Sequence, residues 1–188
     1  MKIQVEQTPN PATLKFVLDR PIATMTLEIS NVENTDRSPL AKKLFGFPWM
    51  SGVFIGPDFV SITKQDWVDW DVLAQPLADL IAHHFERGEL AITELPDVEE
   101  LDATEDILPT DSEIVQKIKK IINAELRPAV ALDGGDVRYS HFDLDTGVLR
   151  LEMRGACSGC PSKSVTLKNG IEVRIRQLVP EVTEVIAD

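Results

Sequence analysis

The sequence predicts an α+β protein made of two small α+β domains joined by an acidic, flexible linker. Residues 91–111 hold eight acidic groups and no basic one, with Pro96, Pro109 and no sustained apolar period. Like charges extend such a stretch, and it has little apolar surface to bury. On either side, short alternating apolar runs are interleaved with stretches of helical period. The boundaries that follow are 1–90, 91–111 and 112–188.

Within 1–90, the runs "KIQVEQ", "LKFVL" and "MTLEI" alternate as strands do, and so do "GVFIG" and "FVSIT". Gly56-Pro57-Asp58 between the last two predicts a hairpin turn. A short helix is punctuated by Ser38 as N-cap, Pro39 at the first position and Gly46 just past the end. A longer helix follows Asp71, with Leu77, Leu80, Ile81 and Phe85 on one face and Gly88 as its stop. His83 and His84 fall on this helix. Adjacent helical positions point about 100° apart, so the pair cannot share one metal ion.

The linker reads as a solvated spacer, reaching about 70 Å if fully stretched at roughly 3.3 Å per residue. Nothing in it singles out a basic partner. Beyond it, Thr110 and Glu113 have the spacing of a capping box. Ile114, Ile118, Ile121, Ile122 and Leu126 then form a helical stripe expected to end near Pro128. "DGGDVRYSHFDL" and "GVLRLEM" read as a hairpin with Asp145-Thr146-Gly147 at its tip. Gly134 and Gly135 are expected to turn the chain with positive φ, and Asp133 and Asp136 to cap or bend it; a supporting role beside a metal site is the alternative. "DLDTG" resembles the start of a calcium loop, but its glycine comes one place early and the closing glutamate is missing. His141 is read as an ordinary strand position.

Composition narrows the function. With 43% apolar and 27% charged residues the 188-residue chain has the make-up of a folded protein. A net charge of −12 without a basic stripe argues against nucleic acid as a partner. The start lacks a basic run followed by an apolar one, and no segment approaches the ~20 apolar residues of a membrane span. Two cysteines in a chain of this size point to a reducing, cytoplasmic setting.

Those cysteines, Cys157 and Cys160, lie in "RGACSGCPSKS". Two thiolates at this spacing can grip a metal or close as a disulfide, yet a sulfur-loving metal or cluster usually takes four ligands. Past the motif, Asn169-Gly170 between alternating apolar residues is a strong hairpin signal. A helix from Pro161 competes, with Leu167, Ile171, Ile175 and Leu178 at helical spacing and Gly170 costing about 1 kcal/mol.

"GACSGCPSKSVTLKNGIEVRIRQLVPEV", with "LDGGDV" upstream, resembles the C-terminal domain of NifU-like (Nfu-type) iron–sulfur cluster proteins. "TPNPATLKFVLDRPI", "SPLAKKLF" and "GVFIGPDFVSITK" are similar to the N-terminal domain of the same family, in the form found in mitochondria and related bacteria. The resemblance implies a helix after the cysteine loop, which overrides the hairpin reading. It implies a first domain that selects clients or partners, and a function in assembling or delivering an iron–sulfur cluster. A bacterial cytoplasmic protein, or a processed mitochondrial one, would fit.

The chemistry agrees with that expectation. Metal–sulfur bonds near 2.3 Å in tetrahedral geometry put two sulfurs about 3.8 Å apart, within reach of a CxxC loop. Gly159 eases the bend, and a helix opening at Pro161 would turn free amides and its positive dipole end toward the thiolates. The two missing ligands are expected from a second copy, because a twofold interface brings one patch to itself. A homodimer would then hold a [4Fe–4S] cluster, or a [2Fe–2S] cluster, at Cys157 and Cys160 of both chains. It would receive the cluster from upstream assembly machinery and pass it to apo client proteins by thiolate exchange. No substrate bond is cleaved, so no enzyme is expected. A thiol–disulfide oxidoreductase and a zinc-stabilised interaction module are the competing uses of the same pair. The oxidoreductase class normally places CxxC after the first strand of a βαβ order, and here it falls late.

Overall fold

A computed structural model describes residues 1–93, 107, 110–157 and 164–187, and the side chains of all of these but 164–169. The chain divides into two compact units, Met1–Pro96 and Asp97–Asp188. Helices and sheets occur in both, which makes the fold α+β. Most of the acidic stretch 91–111 lies outside the described residues.

The first unit is one antiparallel sheet with helices against it. Its strands are β1 (Ile3–Gln7), β2 (Thr13–Leu18), β3 (Leu27–Ile29), β4 (Met50–Ile55) and β5 (Phe59–Lys64), in the order β1-β2-β5-β4-β3. The β4–β5 turn falls at Gly56–Asp58, where the Gly56 amide donates to the Phe59 carbonyl at 2.8 Å. A 3₁₀ turn (Val32–Arg37) leads into α1 (Pro39–Leu44), and the Ser38 hydroxyl caps it by accepting from the Ala41 amide. The same hydroxyl donates to the carbonyl of Ala91 at 2.5 Å, and the Thr93 amide donates to Arg37. Packing of this unit therefore continues to Thr93. Phe16, Ile29, Leu40, Leu44, Ile55 and Ile62 fill the core.

Helix α2 (Trp70–Glu86) buries Leu77, Ile81 and Phe85, with Leu80 partly covered, and the chain reverses at Gly88 with φ 74°. His83 is exposed and His84 buried, as their angular separation requires. His84 Nε2 donates to the Leu90 carbonyl at 2.9 Å, which leaves Nδ1 to accept from Lys43 Nζ at 3.2 Å. Lys43 also reaches both carboxylate oxygens of Glu89, at 2.7 and 2.8 Å. Neutral His84 thus pins the end of α2 to α1 and is no metal ligand in this arrangement.

The second unit begins with α3 (Glu113–Ile121). Its N-cap is Ser112, whose hydroxyl accepts from the Val115 amide, and not Thr110 as the spacing predicts. With the first helical residue at Glu113, the Thr110/Glu113 box cannot close. Lys119 on this helix is buried, paired with Asp111 at 2.9 Å and lying over the Tyr139 ring. The helical path does not end near Pro128. A π-helical segment (Ile122–Leu126) intervenes and α4 (Arg127–Leu132) carries Pro128 in its first turn. A proline inside an α-helix lacks one N–H and collides with the preceding turn; the wider π turn relieves both.

Strands β6 (Gly135–Phe142) and β7 (Val148–Gly155) form the expected hairpin, with Gly147 at φ 73°. Helix α5 (Ser164–Leu178) follows, and β8 (Glu184–Ala187) then pairs parallel to β7, giving the order β6-β7-β8. The helix that the resemblance implies is therefore present, and the local Asn169-Gly170 hairpin signal yields to it. The decisive residue is Val173. On a strand Ile171, Val173 and Ile175 would share one face, but Val173 is 56% exposed while Ile171 and Ile175 are buried. The β8 strand was not legible beforehand. It exists because α5 returns the chain alongside β7, the ordinary crossover between parallel strands. Among the described residues no helix is long and apolar enough to cross a membrane.

Two measurements follow. A β-carbon at Gly170 meets nothing within 4 Å and its φ is not positive, so Gly170→Ala should raise stability by about 0.5–1 kcal/mol in urea denaturation. Burial holds the His84 pKa below 6.5, with Lys43 acting in the same direction. As pH falls below 6.5 the unfolded chain binds a proton that folded His84 resists. The melting temperature of the first unit should therefore fall through that window, and His84→Gln should flatten the slope.

Candidate functional site

The site is built at the open end of the β6–β7 hairpin. Gly155 ends β7 with φ 68°, a left-handed turn that glycine adopts without strain. Ala156 then tucks inward at 2% exposure, and its amide donates to the carbonyl of Gly134 at 3.2 Å. Cys157 follows, half-buried and packed against the second core. The "LDGGDV" turn and the cysteine loop, some twenty residues apart in sequence, are thus in direct contact.

Gly134 has φ 80°, so it supplies the turn that sequence reading expects. Gly135 has a different role. Its φ is not positive, but a β-carbon there would stand 2.6 Å from the Arg154 carbonyl and 2.9 Å from Cys157 Sγ. It has no room for a side chain, because the paired strand's carbonyl and then the thiol close on it. Asp136 does not merely bend the chain. At 3% exposure, its carboxylate accepts two hydrogen bonds from Arg127, at 2.8 and 2.9 Å, and one from its own neighbour's amide on Val137. Arg138 stands 3.7 Å away. A forked guanidinium–carboxylate pair fixes direction as well as distance, so α4 is tied to β6 one residue from the Gly135 cradle. Asp133 takes the C-cap position of α4.

Of the two predicted ligands, the structure places Cys157; Cys160 lies outside the described residues, as do Gly159 and Pro161. Helix α5 is described from Ser164 onward. His141 lies six residues along β6 from Gly135, roughly 20 Å at the strand rise, and is exposed. Asp143 of "DLDTG" accepts from the amides of Asp145 and Thr146, and the Thr146 hydroxyl and these amides hold its pKa below the ordinary range. It makes a turn. Among the described residues no three His, Cys, Asp or Glu side chains come together as a metal site.

Sequence reasoning missed the Gly135–Cys157 contact and the Arg127–Asp136 pair. The first had a usable signal. Counting back along both strands from the tip at Asp145–Gly147 brings Gly135 to the level of residues 155–156, beside the thiol, and a bulge between Tyr139 and His141 sets it opposite Gly155. The second had none, because the expected helix end at Pro128 left Arg127 with no defined direction.

These features define a two-unit α+β protein with a glycine-cradled cysteine, Cys157, at the open end of the β6–β7 hairpin of the second unit. Comparison with known proteins gives the family. Residues 3–88 match the model described as scaffold protein Nfu/NifU N terminal, and residues 118–186 match the NifU-like domain. The chain is 39% identical over 183 residues to NifU-like protein 4, mitochondrial, of Arabidopsis thaliana, covering 97% of this chain and 64% of that protein. It is 38% identical over 184 residues to the mitochondrial NFU1 iron-sulfur cluster scaffold homolog of Homo sapiens, covering 97% and 70%. A solution NMR structure of a NifU-like protein from Saccharomyces cerevisiae matches 50% of this chain and 87% of its own at 28% identity, with a TM-score of 0.45. On the sequence matches, the chain belongs to the NifU-like family of iron–sulfur cluster scaffold proteins. It spans about two thirds of the length of these plant and human relatives.

The cradle has a direct test. Gly135→Ala forces its new methyl onto the Arg154 carbonyl and the thiol, and should lower the stability of the second unit by about 1–3 kcal/mol in urea denaturation.

Proposed function

We propose that this protein is a carrier that holds a [4Fe–4S] cluster between two copies of the chain and passes it to apo iron–sulfur proteins. The observation that carries the reading is the Cys157 thiol, half-exposed over Gly135, in a chain with only one further cysteine. Cys157 and Cys160 supply two thiolates; a second chain supplies two more, and four complete the usual ligand set. The same four would serve a [2Fe–2S] cluster, which is the alternative cargo.

The fit of the described residues to this cargo is good. Gly135 removes the one β-carbon that would crowd the thiol, and the Gly155 turn brings Cys157 out of β7. The Arg127–Asp136 pair and the Ala156–Gly134 hydrogen bond stiffen the ground beneath it. A thiolate held on a rigid base loses little entropy on binding iron. Transfer needs only ligand exchange: an incoming client thiolate bonds to iron as a cysteine of the carrier leaves as thiolate. No substrate bond is cleaved, and the protein acts as a scaffold.

The first unit serves client or partner selection, and the acidic stretch between Thr93, which still packs on the first unit, and Asp111, which pairs with Lys119 of the second, is the spacer. Of the two compartments the sequence admits, the mitochondrial names of the relatives favour the organellar one.

Anaerobic incubation with iron and sulfide should load about four irons per dimer and shift the sedimentation mass from one chain toward two. Cys157→Ala and Cys160→Ala should each abolish both the colour and the mass gain. A cluster on a strict monomer, or on either variant, would contradict the shared site. Zinc in place of iron, at the same stoichiometry, would favour the interaction-module reading.

A further inference from the structure

The first unit carries a cavity of about 660 Å³ that the cluster reading does not use. It lies where the edge strand β1, the loop after it and the first turns of α2 meet. Val5, Pro9, Leu14, Trp70 and Ala74 give it apolar walls, and Asp71 is the one charged side chain in its lining. This is an unusual place for open apolar surface, since Val5 on β1 is 41% exposed.

The walls are held in place. The Asn10 side chain accepts from the Ala12 amide at 3.0 Å, and the Asn10 carbonyl accepts from Thr13 at 2.9 Å. The Thr8 hydroxyl accepts from the Asn10 amide at 3.1 Å and lies 3.0 Å from the Thr13 carbonyl. Trp70 Nε1 donates to the Pro11 carbonyl at 3.0 Å, which fixes the indole at the loop, and Lys64 Nζ stands 5.6 Å from the ring centroid. A cavity stiffened this way binds without first paying to order itself.

One side of the cavity is a sheet edge. Strand β1 pairs only with β2, and among the described residues no strand covers its outer side. Such an edge offers a row of backbone donors and acceptors that an extended peptide can complete, while alternate side chains of that peptide enter pockets. The electrostatics choose the peptide. Asp71 faces the cavity, and Asp69 beside it is exposed and makes no capping hydrogen bond with its side chain. Lys15 and Lys64, on neighbouring strands, do not line the cavity: Lys15 is held by Glu6 at 3.6 Å, and Lys64 by the Gln65 carbonyl and the Trp70 ring. Residues 1–90 hold twelve acidic and eight basic side chains, so the wider field has the same sign.

We propose that this groove docks an extended, basic segment of a partner protein, added as a strand to the outer edge of β1. An aliphatic side chain of the segment would sit against Val5, Leu14 and Trp70, and a lysine or arginine beside Asp71. The site uses neither cysteine, so it stands whether or not the cluster reading does.

The test uses the full chain carrying Cys157→Ser and Cys160→Ser, which removes cluster binding from the readout. A seven-residue peptide of alternating lysine and valine is titrated against its amide spectrum, with a glutamate–valine peptide beside it. The lysine–valine peptide should shift the amides of Ile3–Gln7 and the Trp70 indole N–H, and the glutamate–valine peptide should not. Asp71→Lys and Gln75→Lys, both at exposed positions of the cavity wall, should each weaken binding about fivefold or more at unchanged melting temperature. Equal binding of the two peptides, shifts lying elsewhere on the chain, no shift at millimolar peptide, or full affinity in both variants would overturn the proposal.

Discussion

The close approach of Cys157 to Gly135 is the contact on which the second unit is arranged. A β-carbon at Gly135 would meet the Arg154 carbonyl at 2.6 Å and the Cys157 thiol at 2.9 Å, so β7 and the thiol can both close on the start of β6 only over a residue without a side chain. That closure recruits further residues. Gly134 turns the chain out of α4 with positive φ, Gly155 turns it out of β7, and the Ala156 amide closes on the Gly134 carbonyl. The half-buried Arg127–Asp136 pair then ties α4 to β6 beside the start of the cysteine loop. At the other end of the hairpin, Gly147 leaves room for the Glu181 carbonyl and Thr183, and this joins the tip to the segment that leads into β8. Glycine thus sets both ends of the hairpin, by conformation at Gly134, Gly147 and Gly155, and by lack of volume at Gly135 and Gly147.

The first unit solves a different problem. Its buried polar residues hold shape. Ser38 caps α1 and also binds the chain at Ala91 as it leaves the unit; His84, Lys43 and Glu89 clamp the end of α2. Both devices hold the chain where it leaves α2 and runs to Thr93. The opposite end of the unit, at β1 and the Thr8–Thr13 loop, is rigid but left open along its edge.

Much of this was legible in the residues. The strands of the first unit, the Ser38–Pro39 helix start, the Gly56–Asp58 turn and the Gly88 stop are local events, each carried by a residue whose conformational preference dominates its position. The β6–β7 hairpin was equally plain from its alternation and its tip. The second unit's helices were harder. Ser112 and Thr110 are both good caps, and only the position of Val115 in the core chooses between them. Pro128 is a stop signal by every local rule, but the π turn before it carries the helix onward to Leu132, keeping Leu126 and Val130 in the core.

By itself, the sequence determined the α+β class, the composition break at the acidic stretch and the pairing of two thiols at ligand spacing. Periodicity, turn chemistry and charge act over a few residues and can be read along a line. The tertiary structure alone decided why the Asn169-Gly170 hairpin signal yields to the helix that the resemblance implies, that β8 runs parallel to β7, and that Gly135 is pressed by the Arg154 carbonyl and by a thiol twenty-two residues away. These outcomes depend on which surfaces meet. A local hairpin preference of about 1 kcal/mol yields when Ile171 and Ile175 can be buried together on the same core.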